Sequence, residues 1–166
     1  MDWDNYRRSR DERSANVNLE VPPLVEPWSF NCIQAYYKGL TRAQSTMLLH
    51  LRTGVIGLRR VLFRMHLALD RVDSPLCECG TSNETALHHL VQCPLLSAQR
   101  QVLCDQVKDF SFLPLVTKHA DLATVWAIMF FGIEQFNSAK EYLSRPGTDA
   151  LNISAGGKKL LHSIKR

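Results

Sequence analysis

Three cysteines and two histidines lie within twenty residues near the middle of the chain, in the stretch PLCECGTSNETALHHLVQCP at 75–94. Gly80 permits the tight turn that lets the first two thiols face one point. Zn²⁺ favours four tetrahedral cysteine and histidine ligands, and three cysteines with one histidine form a standard structural set. The spacing C-x-C-x8-H-x4-C therefore predicts a structural zinc site. The candidate ligands are Cys77, Cys79, His88 and Cys93.

An alternative interpretation is that these cysteines are ordinary buried residues beside a capped helix, because free cysteine is among the most buried residue types. Four candidate ligands clustered beside a glycine turn and a proline favour metal. A metal site would bring the four ligand atoms together. Its sulfur atoms would lie about 3.5–4 Å apart, as tetrahedral Zn–S bonds of about 2.3 Å require.

The spacing alone does not decide which of two adjacent histidines is the ligand. His89 and Cys93 are four residues apart and would share one face of a regular helix. His88 is five residues from Cys93, which corresponds to about 140° around such a helix. However, Pro94 disfavours helical backbone at Cys93, so we expect the chain to leave the helix there. His88 then becomes a feasible ligand as well.

Length and composition predict one ordinary domain. The chain has 166 residues, of which 45% are hydrophobic and 22% charged. The longest apolar run, at 122–133, is too short to span a bilayer and predicts a buried helix, so no membrane partner is expected. The charged start has no apolar signal region. Five cysteines without such a signal favour reduced thiols or bound metal in an intracellular protein.

The net charge of +4 is concentrated in one segment. Residues 38–71 carry seven basic side chains against Asp70 alone, a local net charge of +6, and lead directly into the cysteine stretch. A solvated helix surface is the commoner explanation of such arginines, but the absence of other acids also suits nucleic-acid phosphates. We therefore predict contact with RNA or DNA through 38–71. The candidate contact residues are Arg52, Arg59, Arg60, Arg64 and Arg71.

Apolar spacing predicts an all-α fold, a small helical bundle with one zinc-knuckle-like turn. Thr41 and Gln44 form a capping box at the start of the first helix. Thr81 with Glu84, or Asn83 alone, would cap a short helix in the cysteine stretch. The predicted helices are one starting at 41, one over 58–69, and further ones over 84–92, 95–109 and 121–143.

Proline and glycine positions divide the chain into three parts. We predict a flexible arm over 1–28, a helical zinc-binding module over 29–143 and a flexible basic tail over 144–166. No carboxylate set with helix or strand support, nucleophile elbow or phosphate-binding glycine loop is present. The sequence therefore favours a non-catalytic protein.

Several sequence blocks together resemble a known family. They are YYKGLTRAQSTMLLHLRTGVIGLRRVLFRMHLALDRVDSPLCECG, then ETALHHLVQCP, and a later pattern spanning Trp126 to Ala139. The combination resembles the segment that follows the ribonuclease H domain in fungal non-LTR (LINE-type) retrotransposon polyproteins. The resemblance covers residues 35 to 142. It implies zinc binding by the reverse-transcriptase-associated motif that falls on Cys77, Cys79, His88 and Cys93, and its register at Glu84 selects His88 over His89.

The resemblance also implies a role. The chain would be a non-catalytic accessory segment, a fragment or remnant without the catalytic carboxylates of the polymerase and ribonuclease H domains. It would bind zinc structurally and contact element RNA or target DNA. The alternative hypothesis is a protein-interaction module that docks on the polymerase or ribonuclease H domain, without functional metal.

Overall fold

The computed structural model describes residues 35–65, 72–145 and 154–165. Within these ranges the chain is helical, and its one β pairing is an isolated bridge between Leu76 and Asn83. The predicted all-α fold class is therefore confirmed. The α-helices are α1 (Arg42–Thr53), α2 (Arg59–Arg64), α3 (Ser97–Cys104), α4 (Phe112–Leu115), α5 (Ala120–Phe130), α6 (Asn137–Ser144) and α7 (Ala155–Ile164). A π-helix covers His88–Gln92, and 3₁₀ turns cover Pro94–Leu96 and Glu134–Phe136.

Helix α5 lies at the centre of the fold, as its apolar sequence predicts. It packs against α1, α3, α4, α6 and α7. Trp126 is fully buried, and its indole N–H donates to the carbonyl of Gln99 at 2.9 Å, which satisfies its polar group. Fully buried side chains from the neighbouring elements belong to the same core: Met47, Leu48, Leu51, Leu90, Leu103, Leu115 and Leu160.

The predicted capping box at the start of α1 is present. Thr41 Oγ1 accepts a hydrogen bond from the backbone N–H of Gln44, and Gln44 Oε1 accepts one from the backbone N–H of Thr41. The amide nitrogen of the same Gln44 side chain donates to the carbonyl of Asp121 at 3.3 Å and to Thr124 Oγ1 at 3.4 Å. One side chain therefore both starts α1 and ties it to α5.

Several predicted helices differ from the observed ones in length. The helix predicted over 121–143 is two helices, because Gly132 adopts φ 68°, a left-handed conformation that ends α5. The helix predicted over 95–109 ends at Cys104. The helix predicted over 58–69 is observed over Arg59–Arg64, and residues 66–71 lie outside the described ranges. None of the described helices is long and apolar enough to cross a membrane.

The C-terminal region differs from the predicted flexible tail. Residues Ala155–Ile164 form α7, which packs on α5 and α3 and buries Leu160 and Leu161. Ser154 caps this helix by accepting a hydrogen bond from the backbone N–H of Gly157 at 3.0 Å. The predicted arm over 1–28 lies outside the described residues.

Gly156 explains how closely α7 approaches α5. A Cβ atom at this position would lie 3.2 Å from Leu122 Cδ2 and 3.2 Å from Asp121 Oδ2. Glycine therefore permits a close approach of the two helices, and a larger residue at this position would push α7 away from α5. The Ser154 hydroxyl also donates to Asp121 Oδ2 at 2.5 Å, which fixes the start of α7 against α5.

Candidate metal centre

A tight hairpin presents the first two cysteines. The backbone N–H of Cys77 donates to the carbonyl of Ser82, and the N–H of Gly80 donates to the carbonyl of Cys77, both at 2.9 Å. Gly80 has φ 72°, the left-handed conformation that the predicted turn needs. Cys77 is buried and Cys79 half-buried. The hairpin thus brings both thiols to one side of the turn.

The π-helix explains how His88 and Cys93 meet. The backbone N–H of Cys93 donates to the carbonyl of His88 at 2.6 Å, so residues five apart are one turn apart. On a regular helix they would point in different directions. Cys93 itself has φ −59° and ψ 121°, outside the helical region, as Pro94 predicts. The exit at Cys93 is confirmed, whereas the π-turn itself was not predicted.

The cap of this short helix differs from the predicted one. The hydroxyl of Thr85 accepts a hydrogen bond from the backbone N–H of His88 at 3.0 Å. The sequence predicts this capping interaction at Thr81 or Asn83 instead. Thr81 instead contacts a thiol, since its Oγ1 lies 3.0 Å from Cys79 Sγ. Glu84, which would have paired with Thr81 in a capping box, accepts a hydrogen bond from the backbone N–H of Arg59 at 3.0 Å.

The four predicted ligands converge. Their ligand atoms all lie within 4.8 Å of one another, and this group contains His88 rather than His89. Cys77 Sγ lies 3.7 Å from Cys93 Sγ, and Cys79 Sγ lies 3.1 Å from His88 Nε2. Four sulfur and nitrogen atoms at these separations could hold one metal ion, and all the cysteines in the group are free thiols rather than a disulfide.

These separations suit a tetrahedral ion. Two sulfur atoms bound to one zinc at about 2.3 Å stand about 3.8 Å apart, and a sulfur and a nitrogen stand about 3.5 Å apart. The Cys77–Cys93 distance of 3.7 Å meets the first value, and the Cys79–His88 distance of 3.1 Å is slightly below the second. No pair exceeds 4.8 Å, so side-chain movements of about 1 Å would complete the tetrahedron.

The hydroxyl of Ser82 orients His88. Ser82 Oγ lies 2.7 Å from His88 Nδ1, on the side of the imidazole ring away from Cys79. With its proton on Nδ1, His88 donates to this hydroxyl and keeps Nε2 free as a ligand atom. Histidine ligands in metal sites usually have such a partner on the second ring nitrogen. Ser82 was not predicted, because serine in a turn usually bonds the backbone.

The two thiols of the hairpin differ in acidity. Burial raises the pKa of Cys77 to about 12, and hydrogen bonds to Cys79 and Cys93 act in both directions on it. The pKa of Cys79 is lowered to about 6, chiefly by the Thr81 hydroxyl and with a contribution from His88. Of the two hairpin thiols, the half-exposed Cys79 therefore ionises at the lower pH when no metal is bound.

His89 lies beside the group and is buried. Its Nε2 lies 3.6 Å from Cys77 Sγ and 3.3 Å from Glu84 Oε1. Burial lowers the pKa of His89 to about 4, with smaller contributions from the charges of His88 and Arg100. We therefore treat the contact with Glu84 as a hydrogen bond donated by a neutral imidazole. His89 Nδ1 is buried and has no hydrogen-bond partner within the described part of the chain.

The basic residues are divided between internal contacts and the surface. Arg52 donates to the carbonyl of Val116 at 3.0 Å and stacks over the Tyr36 ring at 4.7 Å. Arg59 pairs with Asp73 at 3.1 Å. Of the other predicted contact residues, Arg60 is half-buried and Arg64 exposed on α2, and Arg71 lies outside the described residues.

Helix α2 is connected at its first residue to the hairpin that carries Cys77 and Cys79. The backbone N–H of Arg59 donates to Glu84 Oε2 at 3.0 Å, and its side chain donates to the carbonyl of Ser74 at 3.4 Å. The Arg59–Asp73 ion pair is largely solvent-exposed and contributes little by itself. The hairpin therefore determines where the basic helix begins.

Comparison with known proteins gives no further identification. The chain matches no family model, no curated protein and no solved structure.

Proposed function

We propose that the chain is a non-catalytic module in which one structural Zn²⁺ positions a basic helical surface for nucleic-acid binding. The observation that carries this proposal is the convergence of three thiols and one imidazole within 4.8 Å. Soft thiolate ligands favour zinc over the hard cations Mg²⁺ and Ca²⁺, which prefer oxygen. Four protein ligands fill a tetrahedral zinc ion and leave no position for an activated water, so the ion would be structural.

The metal would act by joining two parts of the chain that are weak alone. The hairpin supplies Cys77 and Cys79, and the π-helix and its end supply His88 and Cys93. A short hairpin is at best marginally stable in isolation. Bound zinc would hold the hairpin against the π-helix and, through the Glu84–Arg59 hydrogen bond, fix the start of α2.

Metal content tests the zinc part of the proposal. Purified protein should contain one zinc per chain, and Cys79→Ser should lower this content strongly. Cys104→Ser is the matched control, since Cys104 is a free cysteine on α3 outside the ligand group. Zinc content near zero in the wild-type protein, or an equal loss in both variants, would refute the site.

The nucleic-acid part rests on charge. Residues 38–71 carry a net charge of +6, and α2 presents Arg60 and Arg64 one turn apart. Binding through such residues releases counterions and must weaken steeply as salt rises. We expect this behaviour with single-stranded RNA and with duplex DNA in a titration monitored by fluorescence anisotropy.

Charge reversal locates the binding surface. The double variant Arg60→Glu with Arg64→Glu should abolish binding. The control variant Lys158→Glu with Lys159→Glu makes the same charge change on two exposed residues of α7. Unchanged affinity in the first variant, or equal losses in both, would contradict contact through α2.

A second candidate function is docking on a protein, such as the polymerase or ribonuclease H domain of an element of the type resembled. The observation in its favour is that α2 buries none of its residues, while Phe63 and the adjoining Met65 are 41% and 49% exposed. Exposed apolar residues of this size mark interaction surfaces when they cluster. Phe63→Ser with Met65→Ser would then abolish capture of those domains without changing RNA affinity.

A further inference from the structure

A buried arginine lies beside the candidate metal centre. Arg100 on α3 is only 7% exposed. Its Nη1 donates to the carbonyl of His89 at 3.2 Å. No carboxylate in the described ranges forms an ion pair with it. Arginine is almost never fully buried without a partner, because desolvating an unpaired charge is costly.

The hydrogen bond to His89 explains only in part why an arginine is buried here. In the π-turn the backbone N–H of Cys93 bonds the carbonyl of His88, and the next donor in that register would be residue 94. That residue is Pro94, which has no N–H, so Arg100 supplies a donor for the carbonyl of His89. A neutral amide could supply the same donor, and the positive charge is left unexplained.

Two thiols act electrostatically on Arg100. Burial lowers the pKa of Arg100, and the charges of Cys93 and Cys104 act in the opposite direction. Burial raises the pKa of Cys104, which keeps that thiol neutral. Cys93 is one of the four converging ligands and would be a thiolate in a metal complex. Of the two thiols, Cys93 is therefore the one that would be negatively charged in a metal complex, and it lies four residues after the carbonyl of His89 that Arg100 binds.

We infer that Arg100 is the buried counter-charge of the metal centre. This inference rests on the proposed zinc function. A zinc dication bound to three thiolates and one neutral imidazole carries one net negative charge, and the guanidinium offsets this charge where water is excluded. Arg100 binds no metal itself, and acts by stabilising the ligand set that does. Residues that support metal ligands in this way are worth about 10- to 100-fold in metal affinity.

The inference predicts how zinc affinity depends on charge at position 100. Arg100→Gln keeps a hydrogen-bond donor but removes the charge, and should lower zinc affinity about 10- to 100-fold. Arg100→Lys keeps the charge and should retain higher zinc affinity than Arg100→Gln. Arg52→Gln is the matched control, because Arg52 also donates to a backbone carbonyl, and that carbonyl belongs to Val116, outside the ligand group.

A change in the ligand set separates electrostatics from structure. Replacing the half-exposed Cys79 by histidine makes the zinc complex neutral, so Arg100→Gln should have a much smaller effect on affinity in the Cys79→His background. A purely structural role of Arg100 would give the same loss in both backgrounds. Zinc affinity is measured by competition with a chromophoric chelator. Zinc-induced gain of helical circular dichroism supplies the affinity of any variant that is unfolded without metal.

The experiments distinguish failure of the counter-charge role of Arg100 from failure of the zinc proposal. A wild-type chain that binds no zinc contradicts the proposed function together with this inference. A wild-type chain that binds zinc overturns the counter-charge alone under any one of three results. These are unchanged affinity in Arg100→Gln, lower affinity in Arg100→Lys than in Arg100→Gln, and an equal loss in the Cys79→His background.

Discussion

The Ser82 hydroxyl offers a sharp prediction, because it touches a candidate ligand without being one. Ser82 Oγ lies 2.7 Å from His88 Nδ1, so Ser82→Ala removes the partner that keeps the imidazole oriented. Loss of such a partner costs about 10- to 100-fold in metal affinity, or about 1.4–2.7 kcal/mol of binding free energy. The backbone contact between Ser82 and Cys77 does not depend on the side chain and should persist.

The assay is a competition titration of zinc against a chromophoric chelator at fixed pH and salt. Ser74→Ala is the matched control, because the Ser74 hydroxyl accepts a hydrogen bond from the backbone N–H of Leu76 and touches no ligand. Ser82→Thr keeps a hydroxyl and should bind zinc more tightly than Ser82→Ala. Equal affinities for Ser82→Ala and wild type would refute His88 as a ligand oriented through Nδ1.

Three further predictions concern stability and reactivity. Leu160→Ala should lower the free energy of unfolding by about 2–5 kcal/mol in urea titrations, because Leu160 is fully buried on α7. Leu113 is 44% exposed, so Leu113→Ala should change the free energy of unfolding by no more than about 0.5 kcal/mol. Equal effects would contradict the packing of α7. In zinc-free protein, the rate at which iodoacetamide alkylates Cys79 should rise with pH through a midpoint near pH 6, as mass mapping of the modified peptide would detect. Thr81→Val removes the hydroxyl that lowers the pKa of Cys79 and should raise this midpoint. An unshifted midpoint would exclude the Thr81 hydroxyl as the cause. Removing zinc with a chelator should lower the midpoint of thermal unfolding, and added zinc should restore it, because zinc that binds only the folded state stabilises that state. An unchanged midpoint would show that metal does not support the fold.

The parts of the structure that depend on neighbouring residues in the sequence were predictable. The capping box of Thr41 and Gln44 is a local pattern, and it appears as expected. The central position of α5 follows from its apolar sequence. The convergence of Cys77, Cys79 and Cys93 with a histidine follows from ligand types and spacing, because few other arrangements bring those residues together.

The remaining features depend on contacts that spacing does not reveal. The π-turn that aligns His88 with Cys93 is closed by a hydrogen bond between residues five apart, one more than in an α-helix. The spacing by itself predicts a regular helix. Gly132 was available as a signal for the end of α5, but the apolar sequence around it favoured a continuous helix. Ser154 is a good N-cap, yet Gly156 and Gly157 disfavour a helix by their intrinsic propensity, and the close approach of α5 that Gly156 permits is not visible in the sequence.

The arginines show most clearly that the sequence does not reveal tertiary contacts. In a helical sequence an arginine is normally interpreted as a surface residue. The five candidates for nucleic-acid contact follow from the concentration of positive charge over 38–71 and require their side chains to lie at the surface. Arg52 and Arg59 instead have partners within the chain. Arg100 is 7% exposed beside the candidate metal centre, and no pattern in the sequence distinguishes it from a surface arginine. Burial of a charge is decided by tertiary packing, so no local pattern predicts it.

X-ray absorption at the zinc edge tests the metal centre most directly. Purified protein should give a first shell of three sulfur atoms at about 2.3 Å and one nitrogen atom at about 2.0 Å. The shell should exchange one sulfur for one nitrogen in zinc-loaded Cys79→His and keep its composition in Cys104→Ser. A shell of nitrogen and oxygen atoms only, or four sulfur atoms without nitrogen, would contradict a site built from Cys77, Cys79, His88 and Cys93.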